Sequence, residues 1–257
     1  MKATHIRVSI LFALLVLLPL TARPVEPAIR ESKENRLRVN LSSDLVSRYI
    51  WRGTDFGSSP SIQPTLSLSG ANFEAGCWSA FATNNSFREL DLYLKYTFKG
   101  ITLCVTDYYV PEIGGAPASP DPRYFVYTDQ TTAHTVEASL QWKGGEKLPL
   151  WISGNIFLYG NDKRWGFNPE KDTLATTYYS AYLEAGYSLA LRDDHLDLFA
   201  GFTPSAGAFG NAPGLVNIGI TAYRTLKISD SLSLPLRGSL IFNPQASKAY
   251  FVLGITI

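Results

Sequence analysis

The side chains able to do chemistry are two histidines, two cysteines and a set of charged residues spaced two apart in otherwise apolar runs. Beyond the first 22 residues the only histidines are His134 and His195. His195 sits in a tight turn. His134 opens an alternating run on the face of Val136, where Asp107 or Tyr109 of the preceding run could approach it for lipid hydrolysis. Such chemistry also needs a nucleophile in reach, and the facing stripes of the adjoining runs offer no serine there. No catalytic residue, no cofactor and no enzymatic activity are expected. Cys77 and Cys104 read as inward-facing on the third and fifth runs. Two strand spacings, about 9.6 Å, exceed the usual Cα separation of a disulfide, so both are expected as free thiols. With no histidine beside them, no metal site is expected.

The charged set is richer. Counting by alternation gives inward Asp44, Arg48 and Arg52 on the first run, Asp91 and Lys95 on the fourth, Glu137 on the sixth, Glu184 on the eighth and Arg237 on the eleventh. Arg48, Lys95, Glu137, Glu184 and Arg237 fall near one height. Closing the runs into a cylinder puts Arg48 and Arg237 on one wall, with Glu137 and Glu184 on the far one. Opposed charges across water would orient solutes in a pore. The competing expectation is that the charges pair directly and fill a closed core, because unpaired buried charge is costly. Inward aromatics form a second set: Trp151, Phe157, Tyr159, Tyr182 and Phe199. They either fill space in a narrow barrel or offer a stacking surface to a sugar or aromatic solute.

The elements that must position these residues are strands. Leu90, Leu92, Leu94, Tyr96 and Phe98 share one face while Asp91, Lys95 and Thr97 share the other, as successive strand side chains point oppositely. Twelve such runs are expected: 37 to 53, 61 to 71, 76 to 85, 89 to 99, 100 to 110, 132 to 143, 147 to 159, 176 to 191, 194 to 204, 214 to 228, 231 to 243 and 248 to 257. Tight turns such as Lys99-Gly100 and Ser229-Asp230 follow the even runs, and longer loops, the extremes being 111 to 131 and 160 to 175, follow the odd ones. That alternation is the layout of a single antiparallel transmembrane β-barrel with periplasmic termini. A soluble sandwich or lipocalin-like barrel would present its polar face to solvent. Here stripes such as Leu150, Ile152, Gly154, Ile156 and Leu158 carry no charge. Arg224 breaks one stripe near a turn, by snorkelling or by a bulge. For twelve strands, a spacing of about 4.8 Å and a tilt of about 40° give a backbone diameter of about 24 Å and a lumen of about 12 Å.

Residues 1 to 22 read as a secretory signal, with Lys2 and Arg7 before an apolar run ending at Leu20. A polar tail, 23 to 36, leads into one barrel domain, 37 to 257. The whole chain has 257 residues, 46% of them hydrophobic, with 23 basic against 22 acidic side chains, which argues against disorder. Without the signal the balance becomes about −1, so no nucleic-acid partner is implied. The expected surroundings are outer-membrane lipid and the barrel-insertion machinery, which would read the final strand through Phe251, Leu253, Ile255 and Ile257.

The stretch Ser43-Asp44-Leu45-Val46-Ser47-Arg48-Tyr49-Ile50-Trp51-Arg52-Gly53, followed by Ser61-Ile62-Gln63-Pro64, resembles the TorF-like, Gcw-type porins of Gram-negative bacteria. Gly76-Cys77-Trp78, Leu90-Asp91-Leu92-Tyr93, Tyr182-Leu183-Glu184-Ala185-Gly186-Tyr187 and Phe242-Asn243-Pro244 are similar to later marks of that family. The resemblance implies an outer-membrane barrel and adds little about substrate. The expected function is a passive diffusion channel for small polar solutes with a mixed-charge lumen. The alternative is a non-conducting structural or surface-interaction barrel, with loop 111 to 131 folded inward as a constriction or standing outward as a contact surface.

Overall fold

A computed structural model describes residues 36–164, 176–191, 194–230 and 232–257. The expected signal, most of the polar tail and the middle of the loop after the seventh strand lie outside these residues. The chain is all-β, and its strands close into a twelve-stranded antiparallel barrel. The first six wall strands are β1 (Arg38–Val46), β2 (Ser61–Gly70), β3 (Phe73–Ala82), β4 (Phe87–Phe98), β5 (Ile101–Ile113) and β6 (His134–Lys143). The remaining six are β7 (Leu150–Gly160), β8 (Ala181–Leu191), β9 (Asp194–Thr203), β10 (Gly214–Lys227), β11 (Ser233–Asn243) and β12 (Lys248–Thr256). Each pairs with its sequence neighbours, and β12 pairs with β1 through Asp44↔Thr256, Leu45↔Ile255 and Val46↔Gly254, so the sheet has closed on itself.

The alternation seen in the sequence sorts onto the two faces. Ile62, Leu66 and Leu68 of β2, Leu92 and Leu94 of β4, Ile152 and Leu158 of β7 and Leu240 and Phe242 of β11 all project outward and are exposed. Exposed Phe73, Tyr96, Phe98 and Trp142 lie near the end with the tight turns, and Phe81, Phe202, Phe242 and Phe251 near the end with the loops. The exterior is thus an apolar band bounded by aromatic residues at both ends. Arg224 is outward without a bulge, since its register with Leu236 is unbroken, and it holds Asp194 at 2.7 Å near the turn end.

The interior departs from a simple pore because the first run does not continue as wall. After Val46 the chain leaves the barrel and folds into it as a hairpin, Tyr49–Trp51 against Thr54–Phe56. Its two-residue turn, Arg52-Gly53, has positive φ at both residues, 49° and 77°, the pattern whose twist matches a tight hairpin. Gly53 is required twice over: its φ is left-handed, and a Cβ there would meet the Val216 carbonyl oxygen at 2.0 Å.

Three bulges at the loop end shape the wall around this hairpin. β10 carries an extra residue where Gly201 pairs with Asn217 and Phe202 with Leu215, which turns Val216 inward onto Gly53. β5 bulges at Pro111, a residue unable to donate to the ladder. β7 bulges at Leu158, which puts Phe157 opposite inward Glu137 but Tyr159 opposite outward Val136. Tyr159 is therefore on the outer face, correcting its expected place in the lumen. Cys77 is corrected as well. It pairs with outward Leu66 and Leu92, whereas Cys104 pairs with inward Lys95. Both are free thiols, as expected.

Gly53→Ala is predicted to displace the hairpin while leaving the wall intact. Trypsin should then cut after Arg48 or Arg52 in folded protein, where the unmodified chain resists.

Candidate functional site

The hairpin meets the wall on three sides. Tyr49 packs with Phe56 on Trp78 and Phe87, over Ala80 and Ala82. Trp51 packs on Tyr108, Phe157 and Phe209. Ile50 lies against the cluster of Val46, Ile241 and Val252. A two-stranded hairpin is about 5 Å across its backbone plus side chains on both faces, so it fills a lumen of about 12 Å. Phe209, 5% exposed, comes from the loop between β9 and β10 and adds a lid above Trp51 and Tyr182.

At the tip, Arg52 reaches Glu137 of β6 with two hydrogen bonds of 2.5 and 3.0 Å. Their side chains are 10% and 2% exposed. Tyr108 and Ser139 also donate to Glu137, at 3.0 and 2.9 Å. The guanidinium lies 4.4 Å from the Trp51 ring centre, 4.7 Å from Tyr182 and 4.8 Å from Phe209. A fork-shaped cation is met here by a carboxylate and three ring faces. Asn243 of β11 donates to the Gly53 carbonyl at 3.0 Å.

The other expected lumen charges are also placed, mostly in pairs. Arg48 leads into the hairpin rather than lying on the wall, and it pairs with Asp55 across the hairpin. Arg237 holds Asp44 at 3.0 Å, and Thr256 donates to the same carboxylate at 2.6 Å. Lys95 is 3.3 Å from Glu74. Glu184 accepts from Tyr182 and, at 2.8 Å, from Asn217. Asp91, 5% exposed, lies between Trp78 and Tyr108, next to Glu89, which is equally buried. Opposed rows of unpaired charge are thus not formed. Arg48 left its wall because β1 ends at Val46, and Arg237 found a carboxylate two strands away on β1.

The lumen aromatics lie flat rather than projecting. Tyr182 covers Gly201, Phe199 covers Gly219, and Trp151 covers Gly186, each ring so close that a Cβ on the glycine would come within 2.0 to 2.4 Å of it. A ring over a cross-strand glycine restores packing the glycine lacks and keeps the ring out of the hairpin's space. No stacking surface for a solute remains around Tyr182 and Phe157, since Phe209 and the hairpin occupy it. Toward the turn end the lumen is more open: the side chains of Lys95, Glu74 and Arg237 are 40%, 35% and 32% exposed.

The long loop after β5 neither constricts the pore nor stands away from the barrel. It folds down over the outer face. Tyr109 donates to the Pro122 carbonyl at 2.6 Å, His134 Nε2 to the Tyr124 carbonyl at 2.6 Å, and Tyr127 to Asp107 at 2.9 Å. His134 is fully buried with Asp107 2.9 Å from Nδ1, so the pair weighed for hydrolysis has its second nitrogen occupied by backbone. At the loop's exposed edge the Arg123 guanidinium beside Asp121 holds that carboxyl below its ordinary range. Alternation could not have foreseen Tyr49, Phe56 or Phe209 in the plug. The available signals were Arg52-Gly53, a two-residue turn between alternating stretches, and the Gly57-Ser58-Ser59-Pro60 stretch after it.

Fold and interior together define the class: a closed twelve-stranded antiparallel barrel plugged by its own first loop. Comparison with known protein families and with characterised proteins finds no match.

Arg52→Leu strands Glu137 in the core, and a broken buried ion pair costs about 3–5 kcal/mol. The double variant Arg52→Leu/Glu137→Gln should recover much of that loss. Denaturant titrations of vesicle-folded protein measure both, and a single variant as stable as the parent would remove the pair from the account.

Proposed function

We propose that the protein is an outer-membrane β-barrel, exported by its N-terminal signal, that is closed in the conformation described here and does not act as an enzyme. The observation that carries the bilayer is the exterior: soluble monomers rarely expose contiguous apolar area beyond a few hundred Å², and here apolar side chains such as Leu66, Leu94, Leu103, Leu183 and Leu253 ring the whole barrel. Closure rests on the hairpin, whose tip is tied to Glu137 across the lumen and to Asn243 on β11, two strands from the hairpin's root. The likeness to TorF-like, Gcw-type porins agrees with the same reading.

One observation favours a second reading, a diffusion channel whose hairpin withdraws. The turn-end half of the lumen is a polar vestibule lined by Lys95, Glu74, Arg237 and Asp44, with a quarter or more of each side chain exposed. Such a lining suits small charged or polar solutes on their way to a gate.

Single-channel recording separates the two. Flotation with vesicles first confirms insertion of the parent chain and of a variant lacking residues 48 to 58. In planar bilayers the parent is predicted to give no conductance steps and the deletion to give frequent ones. Steps from the parent at all voltages would favour the open channel, and a silent but inserted deletion would refute closure by the hairpin.

A further inference from the structure

Outside the wall, at the loop end of β3, β4 and β5, lies a cleft of about 410 Å³. Ser79, Leu90 and Tyr109 form its floor, in register across the three strands. Phe81, Pro111 and Pro122 form its sides. The cleft exists because the Pro111 bulge displaces β5 there and because the long loop brings Pro122 down beside it. That loop wall is held in place: Tyr109 bonds the Pro122 carbonyl, and His134 and Tyr127 fix the neighbouring turn through the Tyr124 carbonyl and Asp107. The volume is that of a small-molecule site, and most of its surface is apolar.

We propose that this cleft binds one acyl chain of a phosphate-bearing membrane lipid, with the phosphate at Arg88. The inference rests on the bilayer reading above. Position argues for a chain: exposed Phe81, Leu92 and Ile113 flank the cleft and continue the apolar band, so in a membrane it lies at the loop-end edge of the hydrocarbon, within reach of both acyl chains and headgroups. Charge argues for the headgroup. The cleft's mouth carries the Arg88–Glu112 pair, 2.7 Å apart, with Arg88 half exposed. A guanidinium on an aliphatic stem reaches from apolar surroundings to a phosphate and meets it with two parallel bonds. Glu112 orients that guanidinium and leaves its outer edge free to do so.

The test uses the full chain folded into vesicles of phosphatidylethanolamine and phosphatidylglycerol, extracted into mild detergent and exchanged repeatedly before native mass spectrometry. The parent should retain one phospholipid per chain. Ser79→Phe, which fills the floor from the outer face, should lower retention about tenfold, and Arg88→Gln should lower it with the apolar cleft intact. Heat-dependent electrophoretic mobility reports whether each variant is a folded barrel. A folded, inserted parent that retains no phospholipid, or a folded Ser79→Phe that retains as much as the parent, would overturn the proposal. Failure of the parent to insert into vesicles would instead overturn the bilayer reading, and this inference with it.

Discussion

A guanidinium deep inside a narrow barrel is stable only where a carboxylate meets it, and the meeting of Arg52 with Glu137 fixes the loop half of the lumen. The pair ties residues 85 positions apart and brings a turn of the first loop to the wall of β6. Arg52 sits at positive φ, a conformation disfavoured for any residue but glycine by roughly 1–2 kcal/mol. The ion pair and three ring faces around the guanidinium offset that strain. With the tip anchored, Tyr49 and Trp51 project from one face of the hairpin with Phe56 against both, and each meets an aromatic cluster on the wall.

The wall accommodates the plug by two devices. Glycines at Gly186, Gly201 and Gly219 let rings from the neighbouring strand lie flat, which preserves the space that the hairpin uses. Bulges at Val216 and Pro111 then redirect the wall, one toward the hairpin and one away from the barrel. The inward bulge makes the contact with Gly53. The outward one opens the cleft at the edge of the apolar band. Plug and cleft are therefore consequences of the same local departures from a regular sheet.

The twelve strands, their order and most of their facing were legible in the sequence, because a wall with one apolar face imposes period two wherever it runs. Legibility ended where the period persisted without a wall. Val46 to Trp51 alternates like a strand, yet the chain has left the barrel by Tyr49, and only Arg52-Gly53 and the Gly57-Ser58-Ser59-Pro60 stretch mark the departure. Tyr159 was misplaced because one extra residue at Leu158 inverts every later facing on that strand. Cys77 was misplaced by the opposite error: inward Gly76 leaves no side chain to mark its face, and the ring covering it belongs to Tyr93 on another strand. Of the interior charges, Arg52, Glu137 and Glu184 were recognised as inward from spacing, but pairing depends on distances across the lumen that no local pattern encodes.

A barrel with an apolar exterior, a polar vestibule at one end and a folded plug at the other separates two tasks along its axis. The turn-end half is open and carries paired charge of both signs, whereas the loop-end half is packed with aromatic rings around the Arg52–Glu137 pair. Everything distinctive about the molecule follows from the second half being filled by the chain's own residues. Amide hydrogen exchange of vesicle-reconstituted protein tests this most directly. The account predicts that the amides of Tyr49 to Phe56 exchange as slowly as those of the wall strands and become fast when Arg52 is replaced by leucine. Exchange of that segment at the rate of an unstructured loop in the unmodified protein, with the wall protected, would contradict it.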